Sequence, residues 1–352
     1  QAKGQWQAAM QQNDRAIDWD KDSTETILKK IRSADGYPGV KQVLFEREIF
    51  LYDAHPEPTL RGAAGTVIGV NESAVCIATI DSAVWIGHML DKRASHPFKL
   101  PAARVLQNEI KQVPVLDDCS SLACQPIVYQ AINQVGYLSF NFYNGAMSTQ
   151  QCHQLRDALN QARRQPTQII VLLGGSDFWS NGMHLNHIEA AESAADESWH
   201  NINAINDLAL EIIDTDNQLV ISALRGNAGA GGVFLARSAD EVWARKGIVL
   251  NPHYKDMGNL YGSEYWTYQL ARHAGEQQVG QITQSRLPMG CREACDTGLV
   301  DTVIDCSRAT FIEAVQQRCQ HYINTQQGQG QVTLGERLER KQQQRLADEA
   351  CK

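Results

Sequence analysis

The chain has 352 residues, is 43% apolar and 20% charged, and carries a formal net charge of −8. That length holds two ordinary domains with separate cores, and the composition is that of a globular protein. The acidic balance argues against nucleic acid or an anionic membrane as a general partner, though not against a local basic patch, and no apolar run approaches the roughly 18 residues of a membrane span.

The start, Gln1-Ala2-Lys3-Gly4-Gln5, is neither a Met nor a basic-then-apolar leader. It points to a cytoplasmic chain and to a piece of a longer one. Asp22 and Glu25 have capping-box spacing ahead of Ile27 and Ile31, which share a helical face, and Tyr37-Pro38-Gly39 ends that helix. Strand-like runs follow at 43–45, 49–52, 66–70, 75–80 and 84–88, with turn residues between them. Five short strands at this spacing predict a small barrel over 1–106. Residues 107–126 read as a polar linker.

Beyond the linker the pattern changes. A strand at 137–142 leads into a helix at 149–163, opened by a Ser148-x-x-Gln151 cap with Leu155 and Leu159 on one face. Strands at 168–173, 219–223 and 242–244 alternate with loops and helices, which predicts an α/β unit with a buried sheet over 127–325. Cys291 and Cys295 lie one helical turn apart without a second pair or neighbouring histidine, so they read as reduced thiols and no metal is expected. The tail, 326–352, reads as a surface or frayed helix without chemistry.

Two loops in the second unit carry chemistry. Gly174-Gly175-Ser176-Asp177-Phe178-Trp179-Ser180-Asn181-Gly182-Met183-His184-Leu185 and Gly226-Asn227-Ala228-Gly229-Ala230-Gly231-Gly232-Val233-Phe234 each join a strand to a helix. Small residues let a ligand approach the backbone, and helix-start N–H groups point outward. Two such loops meeting at one oxygen would make an oxyanion hole. Taken singly, each loop is ordinary turn punctuation.

In this order and spacing the loops resemble the crotonase (enoyl-CoA hydratase/isomerase) superfamily, over about 137–304. The resemblance implies a spiral of ββα turns, commonly trimeric. It implies that the N–H groups of Met183 and Gly231 hold a thioester carbonyl, and that Ala146, Asn181, Gly182, Leu185 and Asn186 cradle coenzyme A. Hydratases of that superfamily use two glutamates; here one position is Phe234 and the other Tyr254, so ordinary hydration is not expected. A phenol with an ordinary pKa near 10 is a poor base but a usable acid. In the segment 250–266, Tyr261 and Glu264 are further candidates, Glu264 being read chiefly as a helix-start acid, and His253 as locally hydrogen bonded. Glu241 would orient the Tyr254 hydroxyl if it were buried beside it.

Ala16-Ile17-Asp18-Trp19, Ile31-Arg32-Ser33-Ala34, Tyr37-Pro38-Gly39 and Phe98-Lys99-Leu100-Pro101-Ala102 are similar to the C-terminal, OB-like barrel of folate-dependent formyltransferases. A formyltransferase barrel feeding a crotonase domain resembles the HoxX family, maturation proteins of nickel–iron hydrogenases. That resemblance implies a lyase that splits formyl-CoA into carbon monoxide and CoA for the hydrogenase iron. Tetrahydrofolate would belong only to a preceding catalytic domain that is missing from this sequence. Two alternatives stay open: another acyl-CoA hydratase, isomerase or hydrolase, and an inactive CoA-binding assembly module.

Overall fold

The computed structural model describes residues 4–116, 125–254, 262–285, 287–325 and 333–350. The chain divides into two compact units, residues 1–125 and 126–352.

In the first unit, helix α1 (Thr24–Ser33) buries Ile27 and Ile31. Its cap is Ser23, which accepts the Thr26 N–H, rather than Asp22. Asp22 pairs instead with Lys30 at 2.5 Å. Strands β1 (Val40–Leu44), β2 (Arg47–Glu57), β3 (Val67–Val70), β4 (Val75–Ala78) and β5 (Ala83–Leu90) form an antiparallel sheet ordered β1-β2-β5-β4-β3. The short β6 (Leu100–Pro101) pairs with β5, and α2 (Ala102–Val105) follows. The expected linker begins later than its polarity suggests, because Ile110 joins the barrel core and the Leu116 N–H bonds Val70 O at 2.8 Å. Residues 117–124 lie outside the described residues.

The second unit is a spiral. Hairpin β7 (Ile127–Ile132)–β8 (Val135–Phe140) opens it. Next come β9 (Ala146–Met147), α3 (Thr149–Arg163), β10 (Ile169–Leu173), β11 (Phe178–Ser180), β12 (Gly182–Met183), α4 (Leu185–Glu189) and α5 (Ala194–Ile213). Then β13 (Leu219–Leu224), β14 (Asn227–Gly229), α6 (Gly231–Arg237), β15 (Glu241–Arg245), β16 (Val249–Asn251) and α7 (Trp266–His273) repeat the scheme. The chain ends with α8 (Glu276–Gln284), β17 (Met289–Gly290), α9 (Cys291–Asp296), β18 (Thr302–Ile304), α10 (Phe311–Asn324) and α11 (Leu334–Ala350).

Each turn sends one strand to the large sheet, ordered β18-β15-β13-β10-β8-β7, and a second to the small sheets β11-β14-β16-β17 and β12-β9. The strands from β8 to β18 in the large sheet run parallel and are mostly apolar, as a sheet covered on both faces requires. The second unit is the expected crotonase-like ββα spiral, and the first is the expected formyltransferase-type barrel. The consequence for function is periodic. The stretch between second strand and helix recurs at the same phase in successive turns, at β9–α3, β12–α4 and β14–α6.

Candidate functional site

Two of these connections are the glycine loops, and they meet. A Cβ placed on Gly182 would lie 3.3 Å from the Cα and N of Gly231, so the two turns touch. Gly182 also has φ +76°, a left-handed conformation that glycine adopts without a Cβ penalty. Ser180, fully buried, holds the turn by accepting the Gly182 N–H at 3.1 Å. Met183 ends β12 and Gly231 opens α6, whose first N–H groups have no partner within the helix.

The residues expected to cradle the nucleotide fall on the neighbouring ladder. Ala146 pairs with Gly182 and Met147 with Met183. The Asn181 N–H donates to Gly145 O and its side-chain amide to Asn144 O, both at 2.7 Å. Leu185 and Asn186 open α4; Leu185 is exposed and Asn186 half-buried.

Tyr254, after β16, and the turn 262–265, ahead of α7, supply the polar side chains. The Tyr254 hydroxyl donates to Glu264 Oε2 at 2.7 Å, and Ser263 Oγ donates to the same oxygen at 2.6 Å. Glu264 is fully buried, and its Oε1 has no hydrogen-bond partner among the described residues. A Cβ on Gly231 would overlap the Glu264 carboxylate, so glycine there is what admits the acid. Phe234, on α6, stacks on Tyr254 with ring centroids 5.5 Å apart, and Trp266 flanks Phe234 at 6.3 Å.

Burial, only partly offset by the bonds from Ser263 and Tyr254, raises the Glu264 carboxyl to about 7. Burial and the adjacent carboxylate push the Tyr254 phenol well above its ordinary value. The pair therefore holds an acid–base group poised near neutrality beside a phenol that keeps its proton.

Four expectations need correcting or setting aside. Glu241 does not reach Tyr254; it accepts from Trp243 Nε1 at 2.8 Å and the Tyr322 hydroxyl at 3.0 Å, and it pairs with Arg337 of α11. It therefore ties the tail to the sheet. Glu264 is not a solvated helix-start acid, because its turn folds inward and buries the side chain. Tyr261 lies outside the described residues. His253 Nδ1 has no hydrogen-bond partner among the described residues, which differs from the locally satisfied histidine expected. Cys291 is buried and Cys295 exposed, both free, and no group of three potential metal ligands occurs among the described residues.

Sequence reasoning assigned no role to Ser263, Asn201 or Asn206. The Asn206 side chain accepts the Glu264 N–H at 2.7 Å from 58 residues away. Nothing local in the sequence signals a contact of that separation.

Residues 133–350 match the family Enoyl-CoA hydratase/isomerase. The chain belongs to this family. Residues 9–98 match the C-terminal domain of formyl transferases. The chain is 51% identical over 341 residues to the hydrogenase maturation factor HoxX of Bradyrhizobium diazoefficiens, covering 97% of this chain and 58% of that protein. The HoxX-like resemblance read from the sequence is thereby shown. The fold superposes on the crystal structure of HypX from Aquifex aeolicus in complex with tetrahydrofolic acid, with TM-score 0.89 and 42% identity over 98% of this chain and 61% of that one. An enoyl-CoA hydratase from Bacillus halodurans shares the fold at TM-score 0.54 and 15% identity, covering 63% of this chain and 86% of that one. The chain thus spans about three fifths of the maturation-factor relatives it matches. No helix among the described residues is long and apolar enough to cross a membrane.

Proposed function

We propose that the second unit splits formyl-CoA into carbon monoxide and CoA, the carbon monoxide becoming a ligand of iron during nickel–iron hydrogenase maturation. The observation that carries this reading is the Tyr254–Glu264 pair, set against the junction of Gly182–Met183 with Gly231. A formyl thioester has no carbon beyond its carbonyl, so chemistry must occur at the carbonyl itself.

The N–H groups of Met183 and Gly231 polarise the thioester oxygen; a single donor of this kind is worth about 100- to 1,000-fold in rate. Glu264 takes the formyl proton. The C–H electron pair becomes the carbon lone pair of carbon monoxide as the C–S bond breaks. Sulfur leaves with the C–S pair and takes the Tyr254 proton, giving a thiol of ordinary pKa near 8.5. Glu264 then returns its proton to the phenolate across their hydrogen bond. The sum is formyl-CoA to carbon monoxide plus CoA, with no oxidant or reductant. Phe234 keeps water from diverting the thioester to formate. Tetrahydrofolate, which the Aquifex HypX structure contains, would serve an earlier formyl-transfer stage.

The test is to mix formyl-CoA with the protein and a haem reporter. Carbon monoxide should appear in step with free thiol; formate in its place refutes the reading. One observation favours a second reading. A buried carboxyl raised to about 7 is also suited to acid–base work on other acyl chains. Turnover of crotonyl-CoA or small acyl-CoA esters without carbon monoxide release would select it.

A further inference from the structure

Glu264 and Tyr265 are two consecutive non-glycine residues in the left-handed region, at φ +56° and +53°. Each such residue carries a steric penalty and persists only where surrounding structure holds it. This turn swings the Glu264 side chain inward ahead of α7. Its buried amide must also find an acceptor. Asn206 Oδ1 supplies it at 2.7 Å.

Asn206 stands on α5, the 20-residue helix whose Ile205, Leu208 and Ala209 are locked in the core. The same helix grips the other half of the site. The fully buried Asn201 donates to Met147 O at 3.0 Å and accepts the His184 N–H at 3.1 Å, the two backbone groups that flank Met183 in space and in sequence. One rigid element thus holds both the strand end carrying Met183 and the turn carrying Glu264.

We propose that Asn206 is a positioning residue that locks the left-handed turn at Glu264, with α5 fixing how far the carboxylate lies from the Met183–Gly231 junction. This deepens the functional reading above and rests on it only for its kinetic arm. A merely structural asparagine would lower stability when removed and leave the carboxylate where it is. A positioning asparagine must move the carboxylate.

The decisive measurement is the titration of Glu264, followed by carboxyl carbon NMR on protein carrying 13C-labelled glutamate, with the resonance assigned by its loss in Glu264→Gln. In the native chain the midpoint should stand near 7. In Asn206→Ala it should fall toward the ordinary carboxylate range, because a released turn lets the group reach water. Asn206→Asp keeps an acceptor for the amide and adds a nearby negative charge, so its midpoint should stay at the native value or rise. Asn206→Ser provides a milder loss if the alanine variant folds poorly. With formyl-CoA, Asn206→Ala should lower kcat about 10- to 100-fold with KM changed less than about threefold, the pattern of a displaced catalytic group. A folded Asn206→Ala or Asn206→Ser protein that titrates like the native chain overturns the proposal. If the native chain releases no carbon monoxide, the decarbonylation reading fails, and the NMR titration still decides this one.

Discussion

Tyr254 and Glu264 share one hydrogen bond and one dry environment, and burial acts on both in the same sense, disfavouring the charged form. The phenol stays a proton donor across the physiological range, while the carboxyl exchanges its proton close to neutrality. Tyr254→Phe removes the donor and keeps the ring stacked on Phe234. It should bind CoA normally and lose carbon monoxide release by about 100-fold or more, as read with the haem reporter. The pH dependence of stability gives a separate check. The folded carboxyl titrates near 7, above its ordinary 4.5, so between those values the native state holds the proton that the unfolded chain has shed. Stability from this group is full below about 4.5 and declines as pH rises to about 7. Glu264→Gln, which cannot ionise, should therefore gain on the native protein across that window, by at most about 3 kcal/mol above pH 7, in urea titrations at several pH values. An advantage that shrinks with rising pH would contradict the burial assigned here.

At the scale of elements, the site is the product of one repeated connection. The glycines that open α6 divide their labour. A Cβ on Gly231 meets the end of the Glu264 side chain, whereas a Cβ on Gly232 meets the backbone carbonyl of Ser180 in the neighbouring turn. A side chain can be pushed aside, but packed backbone cannot be without disturbing β11 and β12. Gly231→Ala should leave the melting temperature within a few degrees of native and reduce turnover about 100-fold. Gly232→Ala should lower the melting temperature markedly. Calorimetry and the carbon monoxide assay on the same preparations separate the two. Much at this scale is legible in the sequence, because it follows from local rules. The Ser148–Gln151 capping box, the apolar runs of β10 and β13 and the glycine loops each sit where their spacing puts them. What escapes is what depends on distant partners. Asp22 and Ser23 both offer a capping oxygen; Ser23 takes the cap, while Asp22 is held by Lys30 and by the Asp18 N–H. Glu241 and Glu264 are each an acid beside an element start. Arg337, 96 residues on, claims one, and the left-handed turn buries the other.

At the scale of the whole molecule, the response to acid is set by different buried groups in the two units. The first sets the half-buried Asp53 between two histidines, with His55 Nε2 at 2.7 Å and His88 Nδ1 at 3.0 Å, and its backbone N–H bonds Asp35 Oδ1 at 2.5 Å. Those imidazole bonds outweigh the burial that opposes them and hold the Asp53 carboxyl far below its ordinary 3.8. For a depressed carboxylate the stabilisation is full above the unfolded pKa and drains away as pH falls toward the folded one. The barrel should therefore weaken as pH drops below about 4. The second unit carries opposed groups: Glu264 favours the folded state as pH falls from about 7 to 4.5, whereas the His273 imidazole, lowered to about 3 chiefly by burial and further by Arg237 and Arg272, disfavours it as pH falls below 6.5. Because each unit has its own core, thermal unfolding should resolve into two transitions, of which the barrel's moves down in acid. Asp53→Asn identifies the barrel transition. Asparagine tolerates the φ of +57° at that position and keeps one acceptor oxygen, so the fold should survive with a lower midpoint at neutral pH and a flatter acid limb. Scanning calorimetry from pH 7.5 to about 3 would show this as two traces that differ at neutrality and converge in acid. Parallel acid limbs in the two proteins would show that the Asp53 cluster does not set the barrel's response.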